Sequence, residues 1–92
     1  MRQKEQPRVL EHLRYVSTAD GAVVLNIQNG IMFSMNPVAS NMFEAVIKGC
    51  GEDQIVADIT NLYQVEKERV QADFTVLIAD LKAKGILPEG AT

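Results

Sequence analysis

No charged residue occurs between Gly21 and Phe43, although 23% of the 92 residues are charged. That gap excludes the usual protection of an exposed strand, since sheet edges are ordinarily blunted by Lys, Pro or a bulge. It is not a membrane span either: Asn26, Gln28, Asn29, Ser34, Asn36, Pro37 and Asn41 interrupt it, and a span needs about 20 predominantly apolar residues. Tryptophan is absent, histidine occurs once, as His12, and cysteine once, as Cys50. A single thiol excludes an internal disulfide and fits a reducing compartment. One His and one Cys at unrelated points supply no recognisable zinc set, so neither a metal nor another cofactor is expected. Basic charge is also scarce. A net charge of -3 and a pI near 5.0 argue against nucleic acid as the default partner.

What is present is enough for one small domain. A chain of this length hides only roughly 60 to 65% of its extended surface on folding, which leaves little room for a deep catalytic cavity. Charge is distributed unevenly: residues 1–14 hold Arg2, Lys4, Arg8 and Arg14 against Glu5 and Glu11, while residues 15–92 hold five bases and ten acids. Residues 1–12 are polar, broken by Pro7 and without period, and are expected to form a flexible basic arm. Residues 13–88 are expected to be the folded domain and 89–92 a loose tail. No hydrophobic signal segment opens the chain, so a cytoplasmic protein is expected.

Hydrophobic period places the elements. Leu13–Thr18 and Ala22–Ile27 read as strands around an Ala19-Asp20-Gly21 turn, and Ile31–Met35 reads as a third. A three-residue Gln28-Asn29-Gly30 loop would pair Ile27 with Ile31, Leu25 with Phe33 and Val23 with Met35, making one face wholly apolar; a one-residue slip would turn every side chain over. Gly30 is then expected in the left-handed position of the loop. From Asn36 the period becomes helical, with Asn36 as N-cap and Pro37 at the first helical position. Val38, Ala39, Met42, Phe43, Val46 and Ile47 form its apolar stripe, and Gly49 ends it. A second helix is expected over Glu52–Tyr63, with Ile55, Val56, Ile59, Leu62 and Tyr63 inward. A third, over Lys67–Lys84, repeats Val70, Phe74, Leu77 and Leu81 and stops at Gly85, after which Ile86-Leu87-Pro88 folds back. The fold class is α+β: a three-stranded antiparallel sheet followed by three helices, resembling a winged helix-turn-helix.

The chemistry-bearing residues point away from catalysis. Cys50 lies between two glycines without a base and reads as an inert loop thiol, and His12 as a solvated side chain. Glycines 49, 51 and 85 fall at helix ends rather than in a phosphate cradle. No enzyme activity is expected. A winged-helix DNA-binding regulator is the alternative, but the third helix exposes Glu68, Asp73 and Asp80 among its bases, and carboxylates repel phosphate. The sharper reading is peptide capture by strand addition. Ile31, Met32, Phe33, Ser34 and Met35 supply an uncharged edge. Val76 stands apart from the buried stripe of the third helix, on the flank shared with Arg69, Asp73 and Asp80. A groove floored by strand three and walled by that flank would offer backbone hydrogen bonds, apolar contacts from Ile31, Phe33 and Leu77, and carboxylates for basic residues of the peptide.

The runs Asp20-Gly21-Ala22-Val23-Val24-Leu25, Gly30-Ile31-Met32-Phe33-Ser34-Met35-Asn36, Leu62-Tyr63-Gln64-Val65, Asp73, and Leu81-Lys82-Ala83-Lys84-Gly85-Ile86-Leu87 carry a likeness. In their order and spacing the chain resembles the PqqD-like family, the precursor-peptide recognition element of ribosomally made, post-translationally modified peptide pathways, over about residues 13–88. The resemblance implies a winged-helix fold that binds the leader segment of a precursor as an added strand between strand three and helix three. It implies a non-catalytic adaptor that presents the precursor to a modifying enzyme such as a radical S-adenosylmethionine protein or a leader peptidase. Carried over, the peptide-binding positions are Ile31 to Met35, Asp73, Val76, Leu77 and Asp80. Met35 stands where leucine is usual before the Asn, and the first helix lacks the usual glycine or tryptophan. Pyrroloquinoline quinone assembly, lasso-peptide maturation and other peptide pathways all remain as homes.

Overall fold

The computed structural model describes residues 12–88; the expected arm, apart from His12, and the expected tail at 89–92 lie outside them. The element order is β1 (Leu13–Thr18), β2 (Gly21–Asn26), β3 (Ile31–Met35), α1 (Pro37–Ile47), α2 (Glu52–Tyr63) and α3 (Lys67–Ala83). The strands form one antiparallel sheet in the order β1-β2-β3, which bears out the α+β expectation. The first helix, α1, packs on one face of the sheet, α2 and α3 pack against α1 and each other, and Val24, Met42, Phe43, Ile55, Phe74, Leu81 and Ile86 are the most deeply buried side chains.

Local chemistry explains the ends. Asn36 caps α1, its side chain accepting from the Ala39 N–H at 2.8 Å, and Pro37 follows where no N–H is required. Glu52 and Asp53 sit in the first turn of α2, opposite the positive end of its dipole. That helix closes without glycine: Gln64 itself takes the left-handed conformation, at φ 56°. Gly21 is required where β2 begins. At φ 136° a Cβ would run into the Met35 carbonyl of the neighbouring strand.

The strand register departs from the expected one. Ala22 pairs with Met35, Val24 with Phe33 and Asn26 with Ile31, so the connection is the four residues Ile27 to Gly30. It is closed by the Gly30 N–H donating to the Asn26 carbonyl at 2.8 Å, with Gly30 left-handed at φ 77°. Ala22, Val24 and Asn26 therefore face the helices, and Val23, Leu25 and Ile27 face away. The expected register assumed that no polar residue would point inward. Asn26 does, at 2% exposure, because its amide is satisfied: it donates to the Gly85 carbonyl at 3.0 Å and accepts from the Gln28 N–H at 2.9 Å. A second expectation also fails. Leu62 is 64% exposed rather than inward, whereas Ile55, Val56 and Ile59 are buried as expected. Leu62 lines an open cleft between α2 and Asn41, Glu44 and Ala45 of α1 and is left uncovered there.

Two groups make the packing testable. Asn26→Ala removes the inward amide that donates to the Gly85 carbonyl and accepts from the Gln28 N–H, and should cost about 1–3 kcal/mol; urea unfolding checks it, and a change under about 0.5 kcal/mol would show those bonds to be dispensable. The Tyr15 hydroxyl donates to Glu44 Oε2 at 2.5 Å, and burial, reinforced by that hydrogen bond and the Glu44 charge, pushes its pKa from 10.0 up to about 12. The neutral phenol is thus favoured by folding, so its contribution is complete below pH 10.0 and is lost as pH rises toward about 12. The stability difference between the wild type and Tyr15→Phe should be flat up to that window and then shrink across it, as read by unfolding at each pH.

Candidate peptide-binding edge

Strand pairing decides which backbone groups of β3 are free. The Ile27 N–H donates to the His12 carbonyl at 2.9 Å, so the odd-numbered residues of β2 bond toward β1 and the even-numbered ones toward β3. Ile31, Phe33 and Met35 are consequently committed to β2. Met32 and Ser34 direct their N–H and C=O groups to the open side, where no other strand of the described residues pairs. The pairing is regular along all five residues, without a bulge. A further strand would thus meet an unprotected, uncharged ladder.

The side chains of the expected site fall into two groups. Ile31, Phe33 and Met35 point to the helix side, with Met35 buried, Phe33 half-buried and Ile31 at the rim; Met32 and Ser34 point outward and are exposed. On α3, Asp73, Val76, Leu77 and Asp80 line a cavity of about 580 Å³. Its remaining wall is the cap Asn36 with Val38, Ala39 and Met42 of α1, Arg69 and Val70 of α3, and Ile59 and Val65 behind. The structure brings the four α3 residues together, but floors the groove with the start of α1 instead of β3. The groove meets the strand at Asn36, where the edge turns into the helix cap. Val38, Ala39 and Met42 were assigned wholly to the core stripe, and nothing in the helical period distinguishes a residue under a groove from one under another helix.

Charge is set on the groove rim. Arg69 Nε lies 4.0 Å from Asp73 Oδ2, an exposed pair one helical turn apart that adds little stability. Asp80 has no basic partner among the described residues. At the other end of β3 the Lys84 ammonium stands 5.7 Å from the centre of the Phe33 ring, and Asn29 donates to the Lys84 carbonyl at 3.3 Å. Lys84 thus sets a positive charge over the Phe33 ring on the helix side of the strand. The described residues hold no group of three potential metal ligands, and no helix among them is long and apolar enough to cross a membrane.

A profile of the family described as coenzyme PQQ synthesis protein D (PqqD) matches residues 21–87. The chain belongs to the PqqD family. Its fold is similar to that of TbiB1 in complex with the TbiA(beta) leader peptide, at a TM-score of 0.78 and 24% identity, covering 89% of this chain and 95% of that one. It is also similar to lasso peptide synthetase B1 complexed with the leader peptide, at a TM-score of 0.73 and 21% identity, covering 88% and 92% respectively. No curated protein matches the chain. The PqqD match starts at Gly21, the residue whose conformation β2 requires, and ends at Leu87, the last buried residue of the turn beyond α3.

Val76 and Leu77 separate a binding role from a structural one. Val76 is 60% exposed, so Val76→Ser should change stability by no more than about 0.5 kcal/mol. Leu77 is buried, and Leu77→Ala should cost about 2–4 kcal/mol. Urea unfolding of the two variants checks the split; equal losses would mean that Val76 belongs to the core.

Proposed function

We propose that this PqqD-family protein is a non-catalytic adaptor that captures the leader segment of a ribosomally made precursor peptide. The leader adds as a strand to β3, and the protein presents it to a modifying enzyme, for which a radical S-adenosylmethionine protein and a leader peptidase are the two candidates. The observation that carries this reading is the outward-facing backbone of Met32 and Ser34 on an edge with no charge, proline or bulge. Both structural neighbours are complexes with leader peptides, which supports the same role here. Main-chain bonds to the edge would supply affinity, and the pockets beside it selectivity.

The groove adds a chemical preference. A leader running past Asn36 would enter a cavity with Val76 and Leu77 on its wall and Asp73 and Asp80 at its rim. An apolar residue followed or preceded by a basic one suits that lining. The pathway supplying the precursor, whether pyrroloquinoline quinone assembly or lasso-peptide maturation, is set by which leader fits. DNA binding is disfavoured by the same flank of α3, whose Asp73 and Asp80 would oppose phosphate.

Titration of the isotopically labelled protein with the leader of the precursor encoded beside it should shift the amides of residues 31–35 and 73–80 together. Ser34→Pro removes an N–H that points to the open side and no bond of the β2 ladder, and should weaken leader binding at least about tenfold. Shifts confined to α2, or an unchanged affinity in Ser34→Pro, would overturn the reading.

A further inference from the structure

Among the described residues β3 is one of two open edges. The outer strand on the opposite side, β1, also pairs only with β2 among the described residues, and the same alternation turns the backbone groups of Leu13, Tyr15 and Ser17 outward. Beside it, between β1 and α1, lies a cavity of about 380 Å³. Leu13, Phe43 and Ile47 give it an apolar floor, and Arg14 and Lys48 stand at its mouth. The one acid lining the cavity, Glu44, accepts the Tyr15 hydroxyl at Oε2 and keeps its charge, so two bases face one carboxylate. Tyr15 is held in place in turn by the Phe43 ring, with centroids 5.5 Å apart. Among the described residues neither Arg14 nor Lys48 has a carboxylate within 4.0 Å.

The two edges therefore differ in sign by one charge each way. The β3-side groove holds Asp73 and Asp80 against Arg69, and the β1-side cleft Arg14 and Lys48 against Glu44. The Leu13 carbonyl is taken by Arg14 Nη1 at 3.2 Å, which leaves the outward groups of Tyr15 and Ser17 for a further strand. On a body that is otherwise acidic, a basic mouth over an apolar floor beside those groups selects an extended segment of the opposite composition. We infer that the β1 edge and the α1 cleft form a second strand-addition site, which takes an extended segment of a partner protein carrying acidic residues between apolar ones. That this partner is the modifying enzyme rests on the adaptor reading: with the leader on β3, β1 is the edge left for the enzyme, and both chains can be held at once on opposite sides of one sheet.

Two capped hexapeptides serve as probes, Leu-Glu-Val-Glu-Leu-Glu and its lysine counterpart Leu-Lys-Val-Lys-Leu-Lys. The acidic peptide should shift the amides of Leu13, Tyr15, Ser17 and Lys48 and leave Met32 and Ser34 in place. Raising the salt to about 0.5 M should weaken it, as should Arg14→Glu with Lys48→Glu, by roughly fivefold or more, since both charges are exposed. Ser17→Pro, which removes an outward N–H, should abolish the shifts, and the charge-reversal variant on exposed side chains gives the same test without altering the backbone. Three results would overturn the site: no shift on β1 with the acidic peptide, equal binding of the lysine peptide there, or shifts that survive both variants. Titration with the leader distinguishes the two readings. Leader shifts on β3 without acidic-peptide shifts on β1 remove only the second site, and the reverse pattern removes only the leader site.

Discussion

The inward amide of Asn26 is the constraint on which the rest of the molecule depends. Its hydrogen bonds to the Gly85 carbonyl and the Gln28 N–H tie the sheet to the end of α3 and close the turn before β3. A buried amide is tolerated only where its donors and acceptors are met, so the turn beyond α3 must lie where it does. Ile86 and Leu87 are buried immediately after that contact. Once Asn26 faces in, parity fixes every other residue of the sheet: Ala22, Val24, Phe33 and Met35 face the helices, and Met32 and Ser34 are left with backbone groups on the open side.

The same parity leaves the far face of the sheet without helices. Val16, Met32 and Ile27 are 61%, 63% and 48% exposed there. A sheet with helices on one side and, among the described residues, two unpaired edges is poorly defended against association. Here the edges are not equivalent. The β3 edge carries no charge along its length and meets an acid-rimmed groove, while the β1 edge meets a basic cleft whose single acid is engaged by Tyr15. Opposite rims on a domain of this size suit holding two different chains apart while keeping both within reach.

Helices were legible from the residues because each signal is local. The Asn36-Pro37 start, the acidic first turn of α2 and the Val70, Phe74, Leu77, Leu81 repeat depend on neighbours within one or two turns, and the element bounds match. β3 was legible for the same reason, as was the exposure of Val76. The register was not. Whether Asn26 could be buried turned on carbonyls 58 and 59 residues further along, which no local pattern reports. Leu62 misled in the opposite direction, since helical period gives a face but not whether a neighbour covers it. His12 was read as part of a solvated arm, yet its carbonyl begins the β1–β2 ladder and its ring meets the Gly85 carbonyl at 3.1 Å.

The sequence by itself determined the order of the elements, the α+β class, the absence of charge on β3 and the placing of Asp73, Val76, Leu77 and Asp80 along one flank of a helix, because all of these follow from spacing along the chain. Tertiary structure alone decided which backbone groups of β3 are free, that the start of α1 floors the groove, that Lys84 closes over Phe33, and that a second cleft of opposite sign lies behind β1. Each of those depends on distant segments meeting. Their meeting is governed by which polar groups find partners in the interior, and that balance is settled only when the whole chain has packed.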